Sequence, residues 1–365
     1  YTLVYTLSLH DALPIWPQHV MTGRGHHFTW AIRSNSEAFS MLAETGRVSR
    51  RQEAAFAGPH PPAGECMALP MMRAFSGLGM VMEYLSRRIR DRFAARSPVP
   101  VDLTCVEPDR GERGRELVSL DISEYADPLH LRPVHIPFSV YLKHHRKSDV
   151  FGESIVRDKP PLFLLPVCGM DTRKIWPLMY SPEEAADIAS RTDASIPDFS
   201  GPSVQLIQDY GSSSLAGFHD EFYTHTPFRP DFGSGTAGGL PASQMPRCFW
   251  RILEHPNELL LRPSGIQHVV RCFLAKGVHP RDVSELIREK YESDFGWGDL
   301  WFRYDASSRA EFYTRLFGGA VGTGADDLEN FNCRSARARR LCEDDGDCAD
   351  EMKKVRAQIE KERVL

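Results

Sequence analysis

The chain has 365 residues, of which 42% are hydrophobic and 25% are charged, and its formal net charge is −5. These values are ordinary for a globular protein. The negative balance argues against a chain that coats nucleic acid through bulk charge, and leaves room only for a local basic patch. Without an apolar run of membrane-spanning length, we expect a cytoplasmic protein with no membrane partner, and the length suggests about two domains.

The first fifteen residues look foreign to the rest of the chain. Tyr5–Trp16 begins like a secretory signal, but it has no Lys or Arg, and Pro14 interrupts the apolar run. Back-translated, residues 5–15 resemble a common sequencing adapter. We therefore predict that residues 1–15 are a cloning or assembly scar, and that the natural sequence before Trp16 is missing.

The first native segment, "HVMTGRGHHFTWAI" at residues 19–32, predicts a strand, a glycine turn and a second strand. Glycines beside Thr22 would let turn amides approach a phosphate, and Arg24 would add charge. Neighbouring side chains of a strand point to opposite faces, so His26 and His27 cannot both face one site. This argues against a His-x-His metal pair, and a plain hairpin is the alternative.

Further along, two strands at "VDLTCVE" and "ELVSLDIS" lead to Asp121, which an apolar strand would hold well for a metal ion. Basic and hydroxyl side chains follow at Arg132, Ser139 and Lys143. The alternatives are that Asp121 caps a turn and that the basic residues are a solvated face.

The second half of the sequence predicts mainly helices, separated by a stretch rich in Gly, Ser and Pro. "SPEEAADIAS" predicts a helix that begins after Ser181. Residues 201–243 are rich in Gly, Ser and Pro and predict a flexible linker. Residues 244–350 predict a domain of short helices, and residues 351–365 predict a charged helical tail.

Four cysteines form a second candidate site: Cys248, Cys333, Cys342 and Cys348. A long chain without a usable secretory signal favours reduced thiols and metal ligation over disulfides. Their spacing is looser than a zinc ribbon and is compatible with Cys₄ ligation of an iron–sulfur cluster, with Zn²⁺ as the alternative. The other four, Cys66, Cys105, Cys168 and Cys272, read as core residues.

A basic loop lies among these cysteines and would contact phosphates. It contains Arg334, Arg337, Arg339 and Arg340. Just upstream, Trp297 and Trp301 are candidates to stack on bases, with packing in the core as the alternative. For Phe302 and Tyr304 we expect core packing.

Together these segments resemble the archaeo-eukaryotic primase superfamily. Thr22-Gly23-Arg24-Gly25-His26-His27 matches its Ser-Gly-x-Gly-x-His motif with Thr for Ser, and Leu120-Asp121 matches its hydrophobic-Asp motif. Arg132, Pro137, Ser139 and Lys143 match the basic segment that follows. The cysteines resemble those of the C-terminal domain of the primase large subunit, where a Pro-x-Cys precedes helices and three later cysteines complete a [4Fe–4S] site.

The resemblance implies an α+β protein, with a primase-type catalytic domain at residues 16–200 that carries a mixed or antiparallel sheet, followed by the helical iron–sulfur domain. His27 and Asp121 would be the catalytic residues, with Asp121 holding Mg²⁺ or Mn²⁺. Thr22, Gly23, Arg24, Gly25, Arg132, Ser139 and Lys143 would bind the nucleotide. The family's first acidic motif lies upstream of the histidine, where the scar stands here.

We therefore expect a fragment of a single-chain primase-polymerase, a nucleotidyltransferase that makes primers from nucleoside triphosphates on single-stranded DNA. The fragment itself should not polymerise. A helicase, or another replication or defence-system protein, would be its partner. The alternative is a non-catalytic accessory protein that binds single-stranded nucleic acid and has a structural metal site.

Overall fold

The computed structural model describes residues 17–22, 25–57, 68–94, 96–103, 110–111, 114–115, 118–126, 136–141, 162–227, 244–293, 305–343 and 348–362. The described chain is α+β, mostly helical with small sheets, as the sequence predicts at this level. It divides into two compact units. Unit 1 comprises the described residues up to Ser40 and from 132 to Gln205, and unit 2 comprises those from Met41 to 131 and from Leu206 onward.

Unit 1 is built on a three-stranded antiparallel sheet. Its strands are β1 (Gln18–Met21), β2 (His26–Thr29) and β7 (Leu165–Pro166), in the order β2-β1-β7. The predicted hairpin is confirmed, with His27 opposite Val20. The helices α4 (Thr172–Leu178) and α5 (Pro182–Arg191) follow, and Ser181 caps α5 as predicted. Strand and helix share one core that includes Val20, Leu164, Leu165, Ile175 and Met179.

Unit 2 contains the remaining small sheets and most of the helices. It has β3 (Val101–Leu103) parallel to β6 (Val118–Leu120), and the short hairpin β4 (Arg110–Gly111) with β5 (Gly114–Arg115). Its helices are α2 (Arg50–Ala57), α3 (Leu69–Ala94), α7 (Ser214–Thr224), α8 (Arg247–Glu254), α9 (Pro263–Leu274), α10 (Pro280–Glu292), α11 (Ala306–Gly322), α12 (Cys333–Ala338) and α13 (Ala349–Glu362). Two further helices, α1 (Glu37–Thr45) and α6 (Ser200–Gly211), contain the points at which the chain passes from one unit to the other.

Helix α11 lies at the centre of unit 2. It packs against α9 and α10, and nearly all of its residues are buried. Its apolar side chains join the large core of the unit, with Ile266, Val269, Ile287, Phe312 and Leu316 among the most buried. Gly46 and Gly77 allow α1 and α3 to touch backbone to backbone, since a Cβ on either residue would collide with a carbonyl of the other helix.

The predicted linker is wrong for residues 201–224, because α6 and α7 occupy that stretch. The Gly and Ser content concealed a helical pattern in which Leu206, Ile207 and Tyr210 are buried. Ser213, read as a linker residue, accepts a hydrogen bond from the Ala216 N–H and begins α7. Residues 228–243 lie outside the described residues.

The predicted domain boundaries also differ from the structure. Residues 41–131 were assigned to the catalytic domain at 16–200, but they form a compact unit with the C-terminal helices. The reason is long-range packing. Helix α3 buries Val81 and Leu85, and its Glu83 forms an ion pair with Arg315 of α11. No local pattern in the sequence reports that pairing.

Among the helices that the structure describes, none is long and apolar enough to cross a membrane.

Candidate functional site

The turn between β1 and β2 is held by its own residues. The Thr22 N–H and hydroxyl donate to the Gly25 carbonyl at 2.8 and 3.0 Å, and the Gly25 N–H donates to the Thr22 hydroxyl at 3.1 Å. Thr22 is buried, while a Cβ on Gly25 would meet open space. The space beside the Gly25 Cα is therefore open, and the hydrogen bonds of the Thr22 hydroxyl stabilise the turn. Gly23 and Arg24 lie outside the described residues.

The three hairpin histidines divide between the two faces of the sheet. His27 lies opposite Val20 and is half-buried. His26 is joined to His19 by a hydrogen bond of 2.8 Å between its Nδ1 and Nε2 of His19, and the His19 ring stacks on Phe28. Burial, with His27 nearby, lowers the pKa of His26 to about 4, and burial with His26 nearby lowers that of His19 to about 4. The sequence analysis missed His19, although the hairpin places it diagonally across from His26.

Asp121 follows β6 in unit 2 and is exposed. Its Oδ1 accepts a hydrogen bond of 2.9 Å from the Ser123 N–H, at the start of the 3₁₀ turn Ser123–Ala126. A carboxylate that caps a turn in this way is the structural alternative that the sequence analysis left open.

Ser139 lies in unit 1, beside the chain that leads into β7. Its hydroxyl donates to the Ile136 carbonyl at 2.6 Å, and its own carbonyl accepts from the Leu164 N–H at 2.9 Å. Ser139 therefore belongs to the same unit as His27. Arg132 and Lys143 lie outside the described residues.

His27 and Asp121 are on different sheets and in different units. The strand of His27 pairs with β1, and the strand before Asp121 pairs with β3. The resemblance assigns both residues to one catalytic domain at residues 16–200, but the described strands beside them belong to separate sheets.

The four predicted ligand cysteines all lie in unit 2, and three of them influence the pKa of the fourth. Cys248 lies on α8 and is buried in the main core, where Cys333 and Cys342 pack at its edge. Burial, together with the nearby thiols of Cys342, Cys348 and Cys333, raises the pKa of Cys248. The Cys333 pKa is raised by burial and by Cys348, whose thiol is also its hydrogen-bond partner. If these thiols lose their protons, their negative charges disfavour one another, and a bound cation would relieve that repulsion.

The loop before Cys333 is tied to α9 by an ion pair. Arg271 donates from Nε and Nη2 to the two carboxylate oxygens of Asp326, at 2.7 and 2.6 Å, and from Nη1 to Asn330 at 2.7 Å. Both members of the pair are only 3% exposed. Asn332 then begins α12 by accepting from the Ser335 N–H at 2.9 Å. This bidentate contact fixes the position at which Cys333 enters the site.

The segments of Cys342 and Cys348 are attached by other means. Arg251 of α8 donates to the Arg340 carbonyl at 3.1 Å and forms an ion pair with Glu343. Helix α13, which begins just after Cys348, buries Met352, Val355 and Ile359 in the main core. Each cysteine is thus carried by a differently anchored piece of chain, and α8 and α9 are the common support.

A histidine that the sequence analysis did not consider also reaches this cluster of thiols. His268 of α9 places its Nε2 3.1 Å from Cys248 Sγ. Burial, with Arg271 and Arg339 nearby, lowers the His268 pKa to about 3, so the ring is neutral. Cys272, one turn further on α9, is fully buried, as predicted. Cys168, also predicted as a core residue, is exposed in unit 1, and Cys66 and Cys105 lie outside the described residues.

The predicted phosphate-contacting arginines fall into two groups. Arg334, Arg337 and Arg340 are exposed, whereas Arg339 is half-buried. The positive charge of Arg339 acts on Asp102 of β3, a carboxylate whose pKa is raised by burial. Three of the four arginines are therefore available to a ligand in solution, and Arg339 faces the protein. Trp297, Trp301, Phe302 and Tyr304 lie outside the described residues.

A buried polar network in unit 2 also escaped the sequence analysis. Glu83 accepts from Arg315 Nε at 3.0 Å and from Nη2 at 2.6 Å, and lies 3.0 Å from His219 Nε2. Tyr210 completes the chain with a 2.8 Å hydrogen bond to His219 Nδ1. Burial opposes the charge of Glu83, but Arg315 and His219 outweigh it and lower the Glu83 pKa to about 2. The network joins α3, α6, α7 and α11 and is a structural feature.

The side chains at each candidate site show whether a divalent ion at Asp121, or an iron–sulfur cluster or zinc at the cysteines, fits the structure. Within the described ranges, no set of three or more His, Cys, Asp or Glu side chains is closed around a metal-ion position. This finding covers Asp121 and the four cysteines alike, and we derive no step through a divalent ion at Asp121. Four soft thiols gathered from separate segments fit an iron–sulfur cluster or zinc by their chemistry.

The comparisons with known proteins add no assignment. No protein-family model, no curated protein and no solved structure matches the chain.

Proposed function

We propose that this chain is part of a single-chain primase-polymerase that makes primers on single-stranded DNA, and that unit 2 is its iron–sulfur, template-binding part. The observation that supports the proposal is that Cys248, buried on α8, is close enough to Cys333, Cys342 and Cys348 for their thiols to raise its pKa. That order, with one cysteine before the helices and three after them, is the pattern on which the resemblance rests.

The cluster would act as a cross-link. When bound, it would neutralise the crowded thiolates and join α8, α12 and the start of α13. The chain's own residues prepare this arrangement, because Arg271 and Asp326 hold the loop before Cys333 and Arg251 holds the segment before Cys342. A template-binding surface beside the cluster would thereby keep its shape.

The exposed arginines provide that surface. Arg334 and Arg337 project from α12, and Arg340 follows it. Arginines bind phosphate through paired N–H groups, and binding of this kind weakens as salt displaces the contacts.

The metal content of the protein tests this proposal. Purified without oxygen, the chain should contain iron and sulfide in equal amounts and absorb broadly in the visible region. Cys342→Ser should lose most of the iron, whereas Cys168→Ser, which alters an exposed thiol of unit 1, should retain it. Zinc without iron would favour the zinc alternative. A protein that contains neither iron nor zinc would contradict the proposal.

Catalysis is tested separately, because the cluster alone does not make an enzyme. We predict that the 365-residue chain makes no primer from labelled nucleotides with Mn²⁺, since two-ion transfer needs carboxylates besides Asp121. It should nevertheless bind nucleoside triphosphates through unit 1, and His27→Ala should weaken this binding. Robust primer synthesis would contradict the first statement.

A non-catalytic accessory protein is the second candidate. The specific observation in its favour is that His27 and Asp121 occupy different sheets, with the Asp121 carboxylate hydrogen-bonded to Ser123. An accessory protein would bind single-stranded DNA and show no affinity for nucleoside triphosphates. Titration calorimetry with a triphosphate therefore separates the two candidates.

A further inference from the structure

We infer that His268 positions the Cys248 ligand and raises the reduction potential of the cluster by donating its Nε2–H to the Cys248 sulfur. The inference rests on the proposed iron–sulfur site and extends it to a residue outside the four cysteines. It assigns to His268 a positioning role and not that of a ligand.

The geometry provides the first step. Nε2 of His268 and Sγ of Cys248 are 3.1 Å apart, and the two residues are 5% and 2% exposed. In the thiol form, either partner could supply the hydrogen. Once Cys248 ligates iron it has lost its proton, so only the imidazole can donate. The bound state therefore fixes the ring tautomer with hydrogen on Nε2.

The second step is the rigidity of the donor. His268 lies on α9 between the buried residues Gln267 and Val269, and its ring packs 5.0 Å from the Phe331 ring. Arg271 lies one turn after His268 on the same helix and forms a buried ion pair with Asp326. The ring thus stands on a helix that is fixed to the loop of a second ligand, Cys333.

A hydrogen bond from His268 to Cys248 would change the reduction potential of the cluster. Reduction adds negative charge to the cluster and its sulfurs, so a hydrogen bond to sulfur stabilises the reduced state more than the oxidised state. Removing that hydrogen bond should lower the reduction potential. A residue that served only to pack the core would change stability and leave the potential alone.

Alternatively, the imidazole could itself ligate the metal. Four thiols already make a complete ligand set for a [4Fe–4S] cluster. The geometry points to a donor for the sulfur, and the two roles differ in whether iron is retained when the ring is removed.

The experiment compares anaerobically reconstituted variants of the 365-residue chain. His268→Leu removes the donor, His268→Asn leaves a polar group too short to reach Cys248, and His268→Gln retains an N–H at about the right distance. Gln267→Leu is the control on the same helix. Each is measured for iron and sulfide, for helical content by circular dichroism, and for midpoint potential by a redox titration followed in the visible region or by electron paramagnetic resonance.

We expect all four to retain iron and sulfide. At a fixed potential, His268→Leu and His268→Asn should show an approximately tenfold lower ratio of reduced to oxidised cluster, a shift of about 59 mV for a one-electron couple. His268→Gln should recover part of this shift, and Gln267→Leu should match wild type. If His268→Leu does not fold, His268→Asn and His268→Gln decide the result.

Two results overturn the inference alone: an unchanged potential in a folded, loaded variant without the donor, or loss of iron from such a folded variant while wild type retains it. Wild-type protein that takes up no iron overturns the proposed cluster as well, so the two failures are distinguishable.

Discussion

The two units satisfy their polar side chains in different ways. In unit 1 the candidate residues are held by neighbours in sequence, as Thr22 is by Gly25 and Ser139 is by Ile136. In unit 2 the important contacts join distant parts of the chain, as Glu83 does with Arg315 and Arg271 does with Asp326. Short contacts of the first kind arise in any turn, whereas a meeting of distant polar groups in a core needs an explanation. For this reason the functional case is strongest in unit 2.

The largest expected effect comes from breaking the central ion pair of unit 2. Glu83→Gln would leave the Arg315 guanidinium buried without its carboxylate, and we expect a loss of about 3–5 kcal/mol in the free energy of unfolding. Urea denaturation followed by circular dichroism measures it. Asp220→Asn is the control, because it breaks an exposed ion pair with Arg47 and should cost at most about 1 kcal/mol. Equal effects of the two substitutions would show that burial of the network does not matter.

Removal of the metal should be the next largest effect, and it should be confined to unit 2. A group that binds only the folded state, at a free concentration about a hundredfold above its dissociation constant, stabilises that state by about 2.7 kcal/mol. Chelation should therefore increase hydrogen exchange of α12 and α13 and leave the hairpin β1–β2 unchanged. Increased exchange in both units alike would contradict a local cross-link.

Lowering the pH from 7 to about 4.5 should destabilise unit 1 more than unit 2, which is the reverse of the effect of removing the metal. His19 and His26 have pKa values lowered to about 4 from 6.5, so the unfolded chain binds protons first as the pH falls. The stabilisation is complete above about pH 6.5 and is lost as the pH falls to about 4. It amounts to roughly 1 kcal/mol for each residue once their partial exposure is discounted.

Hydrogen exchange of β1 and β2 between pH 7 and pH 4.5, referred to the intrinsic exchange rate at each pH, measures this loss. His26→Phe should flatten much of the pH dependence. Glu83 provides the internal comparison in unit 2, since its pKa of about 2 places its loss of stabilisation below about pH 4.5. If β1–β2 protection is constant from pH 7 to 4.5, folding does not lower the pKa values of His19 and His26, and the prediction is wrong.

The smallest effects should come from the exposed arginines. Arg334→Ala, Arg337→Ala and Arg340→Ala should each weaken single-stranded DNA binding and reduce the salt dependence of the affinity by about one counterion. Fluorescence anisotropy across a salt series measures both quantities. Arg339→Ala should mainly lower stability, because Arg339 is half-buried and acts on Asp102. A uniform response of all four would contradict this division.

Local chemistry was readable from the sequence. The hairpin at residues 18–29, the cap at Ser181 and the burial of Cys272 follow from turn residues, capping preferences and apolar spacing. The assignment of the four cysteines as one ligand set comes from a resemblance and stays a prediction. Sequence patterns could not reveal the partner of Glu83 or the assignment of residues 41–131 to unit 2, because these depend on contacts between helices far apart in the chain. Composition misled where Gly and Ser in α6 and α7 suggested a linker.

The central claim is that the four cysteines of unit 2 hold one iron–sulfur cluster. Iron-edge X-ray absorption of the anaerobically purified chain tests it most directly. We predict iron surrounded by sulfur with a second shell of neighbouring iron, and loss of that signal in Cys248→Ser but not in Cys168→Ser. Protein without iron, or iron bound by oxygen and nitrogen alone, would contradict the claim.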